Sequence, residues 1–188
     1  MRRLSVFEHI SLDGYFVDGQ GDMRWAYRPE PDAEWEAYVA ANASGEATLV
    51  FGRVTYEMMA SYWPTPMAME QQPAVAKRMN ALDKLVFSRT LGKADWQNTE
   101  LVKGEAVTEM QKLKRGKGQD MVILGSGMLV AGFAAAGLID SYQLVVNPRA
   151  IGGGRTLFQG LPRHLTLKLT KARTFNNGNV VINYEALA

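Results

Sequence analysis

The sequence predicts a three-layer αβα protein built on a mixed, mostly parallel sheet with an antiparallel C-terminal edge. Three observations predict it. Short apolar runs alternate with segments of helical periodicity along most of the chain. Two alternating runs then finish it with no helix between them. Helical segments also begin directly behind apolar runs, through small or glycine residues, as strand-to-helix turns do.

Taken in order, Arg3 to Ser11 carries Leu4, Val6 and Ile10 and reads as the first strand. Asp13-Gly14 turns the chain, and Asp18 to Asp22, with Gly19 and Gly21, is a second turn-rich patch. Asp32 to Ala43 reads as a helix with Trp35, Tyr38 and Val39 on one side, and Pro31 favours its start. Ala47 to Phe51 is a short strand ending at Gly52, and Arg53 to Tyr62 is a helix stopped by Pro64. Ala74 to Ala81 is a helix and Lys84 to Phe87 a strand, followed by the polar turn Ser88-Arg89-Thr90. Trp96 to Val102 reads as a strand, and Glu105 to Arg115 as an amphipathic helix ended by Gly116 and Gly118. Met121 to Leu124 is a buried strand; Gly125-Ser126-Gly127 then opens a helix through Ala136, closed by Gly137. Asp140 to Val146 is a strand and Ile151 to Gly154 a glycine-rich loop. Leu165 to Phe175 and Val180 to Glu185 pair antiparallel around Asn176-Asn177-Gly178. No repeat, low-complexity run or linker intervenes, so residues 1–188 read as a single domain.

Composition excludes several classes. With 47% hydrophobic and 21% charged residues in 188, the chain can bury a full core. A formal charge of +2 offers no broad footprint for nucleic acid, though a local basic pocket for a phosphorylated ligand stays open. The absence of cysteine removes disulfides, thiol catalysis and cysteine-ligated metal. No histidine pair has metal spacing, so no metal is expected. Met1-Arg2-Arg3 mimics the basic head of a signal peptide, but Glu8, His9 and Asp13 follow it. No run approaches the roughly 20 apolar residues of a membrane span. A cytoplasmic protein is expected.

Three junctions could carry chemistry: Phe51-Gly52-Arg53-Val54-Thr55-Tyr56, Phe87-Ser88-Arg89-Thr90 and Leu124-Gly125-Ser126-Gly127-Met128. In open α/β sheets, ligands bind beyond the carboxyl ends of the strands. A helix N-terminus presents unpaired N–H groups and partial positive charge, and glycine lets a phosphate approach them. Two such starts with Arg53 and Arg89 would cradle a dinucleotide carrying an extra phosphate. Each junction also has a plainer explanation: Gly52 as a tight turn, Arg53 as a solvated residue, Ser88-Arg89-Thr90 as an ordinary loop. Val130 stands where the dinucleotide fingerprint has its third glycine, which disfavours a plain Rossmann protein.

Acid–base candidates are few. His9 lies in the first strand beside Glu8, and His164 among late loop residues. Asp13 either faces a pocket or caps its own turn. Asp32 and Glu36 share a helix face, as an acid pair or as solvated charges. Trp25, Trp35, Tyr56 and Trp63 provide either a stacking wall for a planar heterocycle or core packing.

The ordered set Ser11-Leu12-Asp13-Gly14-Tyr15, Phe51 to Glu57, Val86 to Leu91 and Val122 to Gly127 resembles the dihydrofolate-reductase-like superfamily. More closely, it resembles the branch holding the reductase domain of the bifunctional riboflavin-biosynthesis deaminase-reductase. Gly137-Leu138-Ile139-Asp140, Pro148, Ile151 to Arg155 and Leu157-Phe158 are similar to that branch's C-terminal half. The resemblance covers nearly the whole chain and implies a dihydrofolate-reductase-like sheet with NADPH as hydride donor. It implies that Gly52, Arg53 and Thr55 hold the pyrophosphate region. Ser88, Arg89 and Thr90 would contact the adenosine side and its 2′-phosphate. Gly125, Ser126, Gly127 and Met128 would run along pyrophosphate and nicotinamide. Asp13, Tyr15 and Phe16, with Tyr56, would border the substrate. The implied substrate is a pyrimidine- or pterin-like small molecule, such as 5-amino-6-(5-phosphoribosylamino)uracil or dihydrofolate. The proton donor would be Asp13 or a helix carboxylate, Asp32 or Glu36, with Glu34 between them and bound water as a competitor. Riboflavin-pathway reductases usually carry an acid just before the glycine pair; here Leu124 stands there. A flavin-nucleotide oxidoreductase and a non-catalytic nucleotide-binding or regulatory module are the alternatives on the same fold. The resemblance also implies a homodimer, with Leu144 to Asn147 and the terminal strands as a pairing edge.

Overall fold

A computed structural model describes residues 1–27, 32–43 and 45–187. Among these, eight strands form one sheet. In chain order its strands are β1 (Leu4–Ile10), β3 (Thr48–Gly52), β4 (Lys84–Phe87), β5 (Thr99–Val102), β6 (Met121–Leu124), β7 (Ser141–Val146), β9 (Leu167–Thr174) and β10 (Val180–Ala186). Two short strands, β2 (Tyr15–Val17) and β8 (Arg155–Thr156), pair separately. The large sheet runs β5-β4-β3-β6-β1-β7-β10-β9. Every neighbouring pair from β5 to β7 is parallel, and β10 pairs antiparallel with both β7 and β9. The expected mostly parallel sheet with an antiparallel C-terminal edge is therefore the one found.

Strand periodicity explains the layering. Side chains two apart share a face. Leu4 and Val6 of β1, Ile123 of β6 and Leu144 of β7 join one core cluster with Met110, Val130 and Phe133. Those last three come from α5 (Ala106–Arg115) and α6 (Gly127–Ala135). Leu49, Phe51 and Val86 face the other way, against Tyr56, Val75 and Met79 of α2 (Arg53–Tyr62) and α4 (Pro73–Ala81). On the same side Trp35 and Tyr38 of α1 (Ala33–Ala43) pack over Val145, Phe175 and Val181. Helices thus cover both faces, as binary patterning requires of a sheet buried on both sides.

Some sequence readings need adjustment. The strand expected from Trp96 begins only at Thr99. Trp96 is instead a core residue: its ring lies under the Lys84 ammonium at 4.5 Å, and its backbone N–H donates to the Tyr56 hydroxyl. A short helix, α3 (Pro66–Gln71), fills the stretch after Pro64. Leu144 to Asn147 is not an edge, because β7 is flanked by β1 and β10; among the described residues the outer strand on that side is β9. The reading of Pro31 as a helix-start residue lies outside the described residues.

Candidate functional site

The three junctions emerge at one end of the sheet. Gly52 closes β3, Phe87 closes β4 and Leu124 closes β6, and these strands are adjacent and parallel. Gly52 pairs in register with Phe87, so Ser88, Arg89 and Thr90 leave the sheet beside Arg53. Here the chain order of the strands also switches: β3, β4 and β5 step outward, and β6 returns to lie between β3 and β1. Such a switch point opens a crevice at the carboxyl ends.

Two helices start there. Gly52 is the N-cap of α2 and Ser126 that of α6, and no side chain caps either. The two starts are tied together, because the Gly52 N–H donates to Ser126 Oγ at 2.8 Å. Ser126 sits at φ 63°, ψ 50°, a left-handed conformation that a side chain disfavours by about 1–2 kcal/mol. Gly125 before it is also left-handed, at φ 61°. A Cβ on Gly125 would lie 3.1 Å from the Thr55 methyl, and one on Gly127 only 2.2 Å from the Phe16 ring. Helix amides at both starts therefore face a turn kept free of side-chain bulk, an arrangement suited to a phosphate.

The remaining predicted residues divide. Arg53 pairs with Glu57 at 2.9 Å on the half-exposed face of α2. Arg89 is exposed and near Glu105, whose carboxyl is held below its usual range first by Thr108, then by the Val107 N–H and last by Arg89. Ser88 Oγ accepts the N–H groups of Thr90 and Leu91, closing the turn on itself. Met128 is 74% exposed on the first turn of α6. Phe16 lies under that turn, with the Arg155 guanidinium 5.6 Å from its ring. Tyr15 pairs with Thr156 in the small sheet. Tyr56, in the first turn of α2, is 4% exposed and packs into the core, its hydroxyl accepting the Trp96 N–H.

Of the acids expected to donate a proton, Asp13 and Asp32 accept hydrogen bonds from the chain and Glu36 is exposed. Asp13 accepts the Ser11 hydroxyl at 2.6 Å, the Gly152 N–H at 2.7 Å and the Ile151 N–H at 3.1 Å. These donors, Ser11 first, pull its carboxyl down to about 2. Asp13 is thus an anchor for the 151–154 loop and a poor proton source near neutrality. Asp32 accepts the Trp35 N–H at the start of α1, and Glu36 is exposed. Neither shares a hydrogen bond or ring contact with the junctions among the described residues. Of the aromatic candidates, Trp35 stacks on Tyr38, and Trp63 donates to the Met59 sulfur. Trp25 lies in a short 3₁₀ turn with its indole N–H buried and unpartnered.

Glu8 and His9, named in the sequence only as neighbours in the first strand, are both enclosed at the end of β1. Glu8 is 2% exposed, and burial pushes its carboxyl up to about 8. His9 wedges edge-on between the Phe7 and Trp35 rings, and desolvation brings its imidazole down to about 4. The signal was available: the period-two run Leu4, Val6, Glu8 puts an acid on the apolar face. A cavity of about 530 Å³ lies at the opposite end of the strands, lined by Arg3, Asp140, His164 and Leu165. Helix-terminus geometry marks the candidate site, since an extended ligand lies along open strand ends rather than in an enclosed void. Among the described residues there is no cluster suited to a metal ion and no helix long and apolar enough to cross a membrane.

Comparison with known proteins gives a consistent picture. The family model of the RibD C-terminal domain matches residues 2–181. The uncharacterized protein YyaP of Bacillus subtilis (strain 168) is 27% identical over 183 residues, covering 97% of this chain and 94% of its own. The crystal structure of a protein from Shewanella sp. PV-4, described as a putative riboflavin biosynthesis protein, superposes with a TM-score of 0.74. It is 24% identical and covers 99% of both chains. A diaminohydroxyphosphoribosylaminopyrimidine deaminase/5-amino-6-(5-phosphoribosylamino)uracil reductase from Thermotoga maritima superposes with a TM-score of 0.66 at 11% identity. That match covers 99% of this chain and 57% of the bifunctional one. At these identities the two superpositions establish the fold.

Proposed function

The chain belongs to the RibD C-terminal domain family, a family of reductase type, and on that premise we propose that it is an NADPH-dependent reductase of a pyrimidine-like substrate. The observation that carries this reading is the joining of two uncapped helix starts by the Gly52 N–H and Ser126 Oγ. The residues present fit a dinucleotide. Gly52, Thr55, Gly125, Ser126 and Gly127 would hold the pyrophosphate on backbone amides, with Met128 beside them. Arg53, Ser88, Arg89 and Thr90 would meet the adenosine side, where exposed guanidinium groups favour a 2′-phosphate. When bound, the dinucleotide supplies a hydride to a C=N or C=O carbon. The chain's own part is positioning, with Tyr15 and Phe16 of β2 bordering the substrate and Asp13 fixing the loop opposite them. The family and the name of the Thermotoga maritima enzyme favour 5-amino-6-(5-phosphoribosylamino)uracil as the substrate to try first. A cytoplasmic homodimer joined through the exposed outer strand β9 is the assembly this reading includes.

Titration of the protein with NADPH, followed by nucleotide fluorescence, tests the proposal. Saturable binding is expected, with preference over NADH. The double variant R53A/R89A should weaken it by about tenfold or more, since each charge-assisted contact contributes about 1.5–3 kcal/mol before solvent screening. Unchanged affinity in that variant would remove the assignment.

A further inference from the structure

The period of β1 places Leu4, Val6 and Glu8 on one face. Two of these are core hydrocarbons, and the third is a carboxyl that is 2% exposed. Its Oε1 accepts the His9 N–H at 3.0 Å, while Oε2 is buried with no hydrogen-bond partner. Such an orphan is rare in a folded core and asks for an explanation. Oε2 lies 3.9 Å from the point where a side chain on Gly125 would begin. The Thr55 hydroxyl meets the same point at 3.4 Å. An unpaired acid thus converges on the turn that joins the starts of α2 and α6.

The other carboxyls near this end are committed. Asp13 holds the 151–154 loop, Glu57 pairs with Arg53, and Glu105 caps α5. The groups facing Glu8 are uncharged. His9 follows it on the strand, Leu144 lies directly across on β7, Gly125 follows β6, and Thr55 comes from α2. Tyr142, two residues before Leu144, keeps its phenol because burial pushes it upward. Among the described residues no cation draws the proton off Glu8, and burial keeps it on against the pull of the His9 N–H.

We infer that Glu8 is the proton donor of this site, the acid that completes reduction of a C=N or C=O group; the inference rests on the reductase reading above. The substrate carbon gains a hydride with its electron pair from the reduced nicotinamide dinucleotide, and the adjoining nitrogen or oxygen needs one proton. Glu8 gives it: the carboxyl O–H bond breaks as an N–H or O–H bond forms on the substrate. The carboxylate left behind takes a proton from water before the next turnover. Gly125 keeps this turn open beside the acid: its backbone is left-handed at φ 61°, and a Cβ there would come within 3.1 Å of Thr55.

The test is E8Q, which keeps the volume and neutrality of the native group but has no proton to give. NADPH affinity should stay within about twofold of wild type, while hydride transfer to 5-amino-6-(5-phosphoribosylamino)uracil falls by about 10²–10⁴-fold. Two measurements on the native chain remain if E8Q folds poorly. Carboxyl carbon NMR of the ligand-free protein should show one glutamate still protonated at pH 7, and single-turnover rates should fall above pH about 8. A flat pH profile, an ionised Glu8 at pH 7, or wild-type turnover in E8Q overturns the inference and leaves the reductase reading standing. A wild-type chain that binds no NADPH overturns both.

Discussion

Gly127 and Phe16 share a space that has no room for a methyl group. A Cβ at position 127 would overlap the ring edge at 2.2–2.7 Å, and the ring is buried. G127A should therefore lower stability by about 1–3 kcal/mol, measured by urea denaturation. Shortening the ring in F16L/G127A should return part of that loss, a non-additivity expected of residues in contact. Ser126 shows a related economy: its left-handed backbone is offset by the hydrogen bond its hydroxyl accepts from Gly52. Neither contact is visible in the sequence, which shows only that small residues follow the strands. Glu8 was legible in principle, since strand alternation sets it among Leu4 and Val6. Beside His9, though, it reads as an ordinary pair of polar strand residues. Asp13 was legible only in part: its turn is plain in the sequence, while the amide donors at Ile151 and Gly152 lie far along the chain.

The loop from Ser11 to Gly14 and the loop from Ile151 to Gly154 behave as one element through that carboxylate. Leu12 adds a backbone bond to the Arg149 carbonyl, and β2 and β8 pair just beyond. D13A should speed amide hydrogen exchange at Ile151 and Gly152 and leave the β1 amides protected. Equal protection in the variant would show that the short strands alone hold the loop. Most long elements were readable from periodicity and punctuation, including the terminal hairpin and the helix opened by Gly125-Ser126-Gly127. The failures have physical causes. Tyr15–Val17 and Arg155–Thr156 are too short to show a period, and only their mutual pairing makes them strands. Thr65 caps α3 by accepting the Ala68 N–H, with Pro66 as the first helical residue, a Thr-Pro helix start obscured by the preceding Pro64. Trp96 has the β-propensity of a strand residue, but tertiary packing against Tyr56 and Lys84 decides its role.

Across the whole molecule, Glu8 and His9 give stability a dependence on pH with two opposed limbs. Burial pushes the Glu8 carboxyl up to about 8 in the folded chain, against 4.5 for the free group. Between these values the native state holds a proton that the unfolded chain has lost, so raising the pH through this window destabilises. His9 titrates at about 4 when folded, against 6.5. Between those values the unfolded chain binds a proton that the native state refuses, so lowering the pH destabilises. Denaturation midpoints should fall on both sides of a weakly acidic optimum. E8Q should abolish the alkaline decline, which amounts to at most on the order of 5 kcal/mol. The same central strand has a consequence for how the protein is made. Its sheet partners are β6 and β7, which begin at Met121 and Ser141. A ribosome adding about 5–20 residues per second needs roughly 5–20 s to travel from the end of β1 to the first of them. During that interval β1 waits as an unpaired apolar ribbon, so chaperone demand should persist until β6 and β7 have emerged to flank it.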